Sequence, residues 1–318
     1  MYKSRQYEVV KRSEELVYGR RPLQSIDQKV TKLVFGGELI AQSIMAAWET
    51  LEDGWTPNSF HSYFMRPAST ETVIRYEISS NSDGHNYKNR LVHCYQEKGD
   101  KLCFIAMISF AQKNDMKKRQ LDFQNSPNPN VKNVPFDFQF SPNEYFYKYK
   151  DRMEELMVFN HTNDHISAMI PPEIFEDAGD AENQLEVGER RLGFFTRVNV
   201  DGVQPVHKKW NYVDFAFVSD ATTLVLFYRC LGTAFSMKYF WYTYATMDHN
   251  IYFHDDDFNI TDWLFVDFRF VRLSNGRVLF LSFYFNRDGK LVASITQEAQ
   301  VQIPQKVADK ATSGSYKL

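Results

Sequence analysis

Residues 36–49 read Gly-Gly-Glu-Leu-Ile-Ala-Gln-Ser-Ile-Met-Ala-Ala-Trp-Glu. Leu39, Ile40, Ile44, Met45 and Trp48 recur near helical spacing and alanines fill the gaps, which predicts one amphipathic or wholly buried helix. Gly36 and Gly37 stand at its start, where the first backbone N–H groups have no partner inside the helix. Four runs of strand composition follow, at Ser59–Met65, Thr72–Ser80, Tyr87–Gln96 and Lys101–Ala111. Asp83-Gly84 and Gly99-Asp100 punctuate them as hairpin turns do. One long helix followed by antiparallel strands implies a sheet wrapped around a central helix.

The same order returns later in the chain. Residues 220–231, Asp-Ala-Thr-Thr-Leu-Val-Leu-Phe-Tyr-Arg-Cys-Leu, predict a second buried helix that begins at Asp220. Strand-like runs follow at Tyr239–His254, Asp262–Leu273, Arg277–Asn286 and Leu291–Ile303, with turns at Asn275-Gly276 and Asp288-Gly289. His-Ser-Tyr-Phe at 61–64 echoes His-Asn-Ile-Tyr-Phe at 249–253, and Gly-Asp-Lys-Leu at 99–102 echoes Asp-Gly-Lys-Leu at 288–291. Tyr63 to Tyr252 and Lys101 to Lys290 are separated by the same 189 positions, the mark of an internal duplication. The expected organisation is an N-terminal half over 1–113, a connecting segment over 114–205 and a C-terminal half over 206–318. The connecting segment reads as partly irregular, with an exposed turn-rich stretch at 125–130 and a short helix at Asp151–Val158.

Composition agrees with a strand-rich interior. Aromatic residues make up 16% of the 318, and flat rings pack well on a pleated surface. The net charge of -3 leaves no global basic field for nucleic acid. Cys94, Cys103 and Cys230 are too few and too scattered for a disulfide framework or a zinc site. The first twenty residues are charged throughout and lack the apolar core of a signal peptide. No run approaches the roughly 20 apolar residues of a membrane span. The chain reads as soluble and intracellular, so its two sequons, at Asn160 and Asn259, are chance matches.

Three segments of the second half carry usable chemistry, and each has a structural reading beside it. Asp220, in Val218-Ser-Asp-Ala221, reads by itself as an N-cap or first-turn carboxylate, with Ser219 able to share that role. Asp248 and His249, in Ala245-Thr-Met-Asp-His249, are adjacent on a strand and point to opposite faces, so His249 reads as a hydrogen-bonded structural histidine. Gln297 and Glu298 interrupt the apolar run Leu291-Val-Ala-Ser-Ile295. A polar residue that faces a core needs a partner, so Gln297 is either a structural amide or a holder of water. His161 and His165, four apart, read as solvent-exposed residues of one helix face. Asp255-Asp256-Asp257 lacks the glycine and terminal glutamate of a calcium loop. No Gly-x-Ser-x-Gly elbow, phosphate-cradling loop or activated cysteine signature is present.

In order along the chain, Phe35-Gly-Gly-Glu-Leu-Ile-Ala-Gln42, Phe60-His-Ser-Tyr-Phe-Met-Arg-Pro67, Phe217-Val-Ser-Asp220, Ala245-Thr-Met-Asp-His249, Tyr252-Phe-His254 and Val292-Ala-Ser-Ile-Thr-Gln-Glu298 resemble the type II acyl-CoA thioesterases. That family includes bacterial thioesterase II and the peroxisomal acyl-CoA thioesterases. The resemblance covers 33–112 and 210–302. It implies an α+β double hot-dog fold, with two antiparallel sheets each wrapped around a long central helix. It also implies that Asp220, Thr246 and Gln297 are the catalytic residues. Asp220 would be general base to a water that Thr246 and Gln297 orient, with no metal or redox cofactor. The implied substrate is a fatty acyl-CoA and the implied assembly a homodimer.

Four positions depart from the family pattern: Glu38 after Gly-Gly, Ser82 before Asp-Gly, Tyr87 in place of a common Phe, and Ala299 after Gln-Glu. They motivate a second expectation, a catalytically weak acyl-CoA-binding or regulatory paralogue on the same fold. A third, an enoyl-CoA hydratase, needs a His after the helix-start Asp, and none follows Asp220 there. The C-terminal Tyr316-Lys317-Leu318 resembles a peroxisomal address except at Tyr316, so peroxisome is expected first and cytoplasm second.

Overall fold

The computed structural model describes residues 7–96, 100–112, 125, 138–161, 165–199, 208–236, 238 and 243–310. In the first half lie β1 (Val9–Lys11), β2 (Leu16–Gly19), α1 (Gly36–Trp48), β3 (Trp55–Phe64), β4 (Ile74–Asp83), β5 (Tyr87–Gln96) and β6 (Lys101–Gln112). Next come α2 (Glu144–Tyr149), β7 (Met157–His161), β8 (Ile166–Ile170), α3 (Asp180–Asn183) and β9 (Leu192–Val198). The second half holds α4 (Lys208–Ser219), α5 (Phe227–Cys230), β10 (Thr243–Phe253), β11 (Leu264–Ser274), β12 (Arg277–Phe285), β13 (Leu291–Val301) and α6 (Gln305–Lys310). The eight expected strands are all present, with ends shifted by a few residues; positions 239–242, where one of them was expected to begin, lie outside the described residues. The two residues of Asn275-Gly276 both have positive φ, at 53° and 69°, as the tight β11–β12 turn requires.

The strands form one antiparallel sheet in the order β1-β2-β4-β5-β6-β3-β10-β13-β12-β11-β9-β8-β7. This is a hot-dog-like α+β fold, but with a continuous sheet where two discrete sheets were expected. The join is β3 against β10, paired from Asp248↔Tyr63 to Tyr252↔Ser59. Backbone pairing of this kind leaves no trace in residue type, which is why two sheets were the natural reading. On either side of the join the order mirrors itself: β4-β5-β6-β3, then β10-β13-β12-β11. Tyr63 and Tyr252, the residues of the repeated motif, are both exposed on these two central strands.

Much of 114–205 is not a loop. β9 pairs with β11, and β8 and β7 continue the sheet outward. Their runs Met-Val-Phe-Asn-His, Ile-Ser-Ala-Met-Ile and Leu-Gly-Phe-Phe-Thr-Arg-Val are rich in β-branched and aromatic residues, which favour strands. The short helix expected at Asp151–Val158 is a single 3-10 turn, Met153–Glu155, before β7 begins. Of the turn-rich stretch at 125–130, only 125 lies within the described residues.

Every residue of α1 from Gly37 to Trp48 is buried, including the polar Glu38, Gln42 and Ser43, so the helix is enclosed on all sides. It packs on β1, β2, β4, β5, β6 and on α4. Gln42 accepts the Tyr76 hydroxyl at 2.7 Å. Glu38, one of the departures noted above, is also inside, with its carboxylate facing the Gln24 N–H. Burial pushes its pKa up to about 8.

That value has a sign. The unfolded carboxyl loses its proton near 4.5, whereas the folded one keeps it to about 8. Between those values the unfolded state holds fewer protons, so stability falls as pH rises. Glu38→Gln removes this titration. At about 1.4 kcal/mol per unit and roughly 2–4 °C per kcal/mol, the loss of about 4 kcal/mol between pH 5 and pH 9 means that its melting temperature relative to wild type should rise by roughly 8–16 °C over that interval. A pH-independent difference between the two proteins in thermal unfolding would contradict this placement.

Candidate active site

The structure brings Asp220, Thr246 and Gln297 into direct contact. Gln297 Nε2 donates to Asp220 Oδ1 at 2.7 Å and to Thr246 Oγ1 at 2.7 Å. The Thr246 hydroxyl donates to the same Asp220 Oδ1 at 3.1 Å. The Asp220 side chain is only 5% exposed.

Asp220 arrives by a route the sequence did not suggest. The expected helix over 220–231 is displaced: α4 occupies Lys208–Ser219 and ends immediately before Asp220. A bend over 220–223 separates it from a 3-10 turn at Leu224–Leu226 and from α5. Ser, Asp and Thr compete with helical backbone bonds, and Ser219-Asp-Ala-Thr-Thr223 concentrates them. Asp220 therefore caps no helix of its own. It takes the N–H of Gly37, at the first turn of α1 in the other half. This approach explains the Gly-Gly pair. A Cβ on Gly36 would overlap Asp220 Oδ2, and one on Gly37 would overlap the carbonyl oxygen of Phe217. Space, not backbone dihedral, demands glycine at both.

Gln297 follows from the pleat. On β13 the buried residues alternate as Ile295, Gln297, Ala299 and Val301, so the amide faces inward among apolar neighbours. Thr246 needs an irregularity. In a regular strand Thr246 and His249, three apart, would face opposite ways. The register shifts between Thr246 and Asp248, so that Thr246 pairs with Ala299 and His249 with Gln297. This bulge turns both side chains to the face of Gln297. Asp248 points away, where it accepts the Glu298 N–H at 2.7 Å.

His249 is a fully buried, hydrogen-bonded histidine, and it borders the site. Its Nδ1 lies 2.8 Å from Gln297 Oε1 and its Nε2 2.9 Å from Ser219 Oγ. Burial pulls its pKa down to about 4, so the ring is neutral near pH 7. Burial has the opposite effect on the carboxyl. Asp220 rises to about 7, a shift that the bonds from Gln297, Thr246 and Gly37 partly counter. A carboxylate near 7 both accepts and returns a proton at ordinary pH. Sequence reasoning missed Ser219 as a partner of His249, and missed Gly36-Gly37 as the floor under Asp220. The glycine pair was the available signal for a close approach.

Other candidates fall away. Cys94, Cys103 and Cys230 are buried free thiols, and burial pushes Cys103 up to about 11 and Cys230 to about 12. His165 was expected at the surface but is buried edge-on to Phe217, just before β8 and on no helix. The His161 side chain lies outside the described residues. Lys290 and Lys208 pair with Asp255 and Asp256. Among the described residues no group of three or more His, Cys, Asp or Glu could hold a metal ion, and no helix is long and apolar enough to cross a membrane. A cavity of about 610 Å³ lined by Trp48, Trp55 and Trp210 lies at the far end of α1, about 16 Å of helix from Gly37.

A buried carboxylate met by an amide, a hydroxyl and a backbone N–H, on a hot-dog-like frame, has the chemistry to hold a water and take its proton. Residues 26–111 match the model of the acyl-CoA thioesterase N-terminal domain, and residues 152–301 match that of the acyl-CoA thioesterase C-terminal domain. The chain belongs to the hot-dog acyl-CoA thioesterase family of type II, and is a thioesterase-type hydrolase. The C-terminal match begins at 152 and so takes in β7, β8 and β9. Among curated relatives, the chain is 22% identical over 308 residues to the peroxisomal acyl-coenzyme A thioester hydrolase 1 of Saccharomyces cerevisiae, covering 85% of this chain and 86% of the yeast one. It is 25% identical to acyl-CoA thioesterase 2 of Haemophilus influenzae, covering 86% and 88%. Among solved structures, the acyl-CoA thioesterase II TesB2 of Mycobacterium marinum superposes with a TM-score of 0.67 at 18% identity, covering 95% of this chain and 99% of that one.

Proposed function

We propose that this protein hydrolyses fatty acyl-CoA to a free fatty acid and CoA, with Asp220, Thr246 and Gln297 as its catalytic residues. The observation that carries the reading is the convergence of Gln297 Nε2 and Thr246 Oγ1 on one oxygen of the buried Asp220. In the proposed step a water seated among these groups attacks the thioester carbonyl carbon and gives its proton to Asp220. The tetrahedral intermediate then expels the thiolate as the C–S bond breaks. The same proton passes from Asp220 to the sulfur, so acid and thiol leave with nothing consumed but water. A thioester carbonyl is electrophilic enough for this without covalent catalysis. General-base help contributes about 10²–10⁴-fold and fixed orientation adds to it.

Of the departures, two border the site: Ala299 pairs with Thr246, and Glu38 follows Gly37 but turns its carboxylate to Gln24. Ser82 and Tyr87 lie exposed on the β4–β5 hairpin. None removes a group that the step requires.

The test is thiol release from acyl-CoAs of graded chain length. Asp220 must be ionised to act as base, so kcat/KM should rise tenfold per pH unit below about 7 and level off above it. His249, neutral down to about pH 4, adds no second limb between pH 5 and 9. Acyl-CoA that binds with no CoA released at any chain length would instead mark a binding or regulatory paralogue. A homodimer and a peroxisomal address complete the proposal. Tyr316-Lys317-Leu318, which would carry that address, lies outside the described residues.

A further inference from the structure

The Gln297 carboxamide can enter its place in two ways, and only one suits a base. With Nε2 towards Asp220, both amide hydrogens are used, one on Asp220 Oδ1 and one on Thr246 Oγ1. Turned over, Oε1 would face Asp220 Oδ1. Two acceptors would then meet in a buried site, unless the carboxyl kept its proton. Gln297 is 1% exposed, so bulk water is not there to decide the matter.

The other end of the amide decides it. Oε1 lies 2.8 Å from His249 Nδ1 and accepts only if that nitrogen carries the hydrogen. A neutral ring then has a bare Nε2, which needs a donor. Ser219 Oγ, 2.9 Å away, is that donor. Its single hydrogen can alternatively serve the Ala216 carbonyl at 2.8 Å. If it did, Nε2 would have to carry the ring hydrogen, and Nδ1 would repel Oε1. With Gln297 Nε2 on Asp220, the donors run in one direction only if Ser219 turns its hydrogen from the Ala216 carbonyl to His249: Ser219 to His249, His249 to Gln297, and Gln297 to Asp220 and Thr246.

We propose that His249, held by Ser219, is a positioning residue that fixes which end of the Gln297 carboxamide faces Asp220. The proposal rests on Asp220 being the general base. Among the described residues, the titratable groups nearest the carboxylate are His249 on β10, 3.8 Å from Oδ1, and Tyr284 on β12. From α1 comes only the Gly37 N–H, because the Glu38 carboxylate turns to Gln24.

The test is a pH–rate profile of thiol release. His249→Phe keeps a ring in the space but removes both hydrogen bonds. It should lower kcat about 10–100-fold, leave KM within about twofold, and move the acid limb of kcat/KM up by about one pH unit. The limb moves because a turned amide favours protonated Asp220. His249→Asn, whose Nδ2 sits near the place of Nδ1, should keep the wild-type limb and lose less than about fivefold in kcat. Ser219→Ala removes one oxygen and should move the limb in the same direction by less; it carries the test alone if His249→Phe does not fold. A limb that stays at the wild-type pH in both His249→Phe and Ser219→Ala overturns the proposal, as does equal damage from Phe and Asn. Asp220→Asn in the same assay separates the two ideas. If that variant retains full activity, the general-base reading fails, whatever His249 does.

Discussion

Asp220→Asn should release thiol from acyl-CoA about 10²–10⁴ times more slowly than wild type while remaining folded. Asn has the shape of Asp, and its carbonyl oxygen can still accept the Gln297 Nε2–H. What it lacks is the capacity to take a proton from water. The variant should also gain stability at alkaline pH. The unfolded Asp220 carboxyl ionises near 3.8, whereas the folded one holds its proton to about 7. Between these values the unfolded state carries fewer protons, so wild-type stability declines with rising pH. Above pH 7 the wild type therefore bears the cost of a buried charge that the Asn variant does not. A protein that melts higher at pH 8 yet hydrolyses nothing would place the defect in chemistry, not folding. Wild-type turnover in the variant would sink the mechanism.

Gly36→Ala should be nearly as damaging, although the residue takes no part in the reaction. Its new methyl would overlap Asp220 Oδ2 and press on Phe64 Cζ at 3.0 Å. The carboxylate is held by Thr246, Gln297 and the Gly37 N–H, so it cannot withdraw without losing one of them. A displacement of about 1 Å can cost 10²-fold, and a loss of about that size in kcat is expected. Gly179→Ala is the control. It opens on empty space, with nothing within 4 Å of the added carbon, and should leave turnover unchanged. Equal activity in the two variants, measured beside their circular dichroism, would refute the crowding argument.

The strands of both halves were legible because turn residues such as Asp83-Gly84, Asn275-Gly276 and Asp288-Gly289 punctuate them. Asn275-Gly276 accepts positive φ, and a strand stops there whatever its neighbours do. α1 was legible for a similar reason: its apolar residues recur along a stretch that opens on two glycines. The second helix was misplaced because apolar residues continue past its true end. The Ser219-Asp-Ala-Thr-Thr223 run that ends it reads equally as the start of a helix, and the groups that hold Asp220 in the bend, Gly37, Thr246 and Gln297, are all distant in sequence. No window of local sequence contains that fact. The strands within 157–198 were read as part of a connection because β9 stands apart from the β7–β8 pair, and only the pairing of β9 with β11 joins all three to the sheet.

The site divides along the same line. Gln297 could be suspected from the sequence, since an amide on the buried register of an apolar strand asks for a partner. Thr246 could not be placed from spacing, because a bulge reverses the side to which it points. Its assignment came from resemblance, and the contact with Asp220 now stands beside it as geometry. His249 was read as structural, and it is buried and bonded as that reading required. That reading did not extend to its partner, the Gln297 amide.

The two halves touch through joints of opposite tolerance. β3 and β10 are knitted by peptide groups, with Ser62 Oγ adding a bond to the His249 carbonyl. Exposed side chains along that seam can change identity without loosening it. Where α1 meets the end of α4 the reverse holds, for the fit there depends on two side chains being absent. Random substitution should therefore fall unevenly on the molecule. The long seam should absorb many changes at its exposed positions, while two adjacent codons in the first half govern whether the second half can work at all. Expressed separately, the halves could reassociate by strand pairing and still be inert, if the helix ends failed to return within about an ångström of one another.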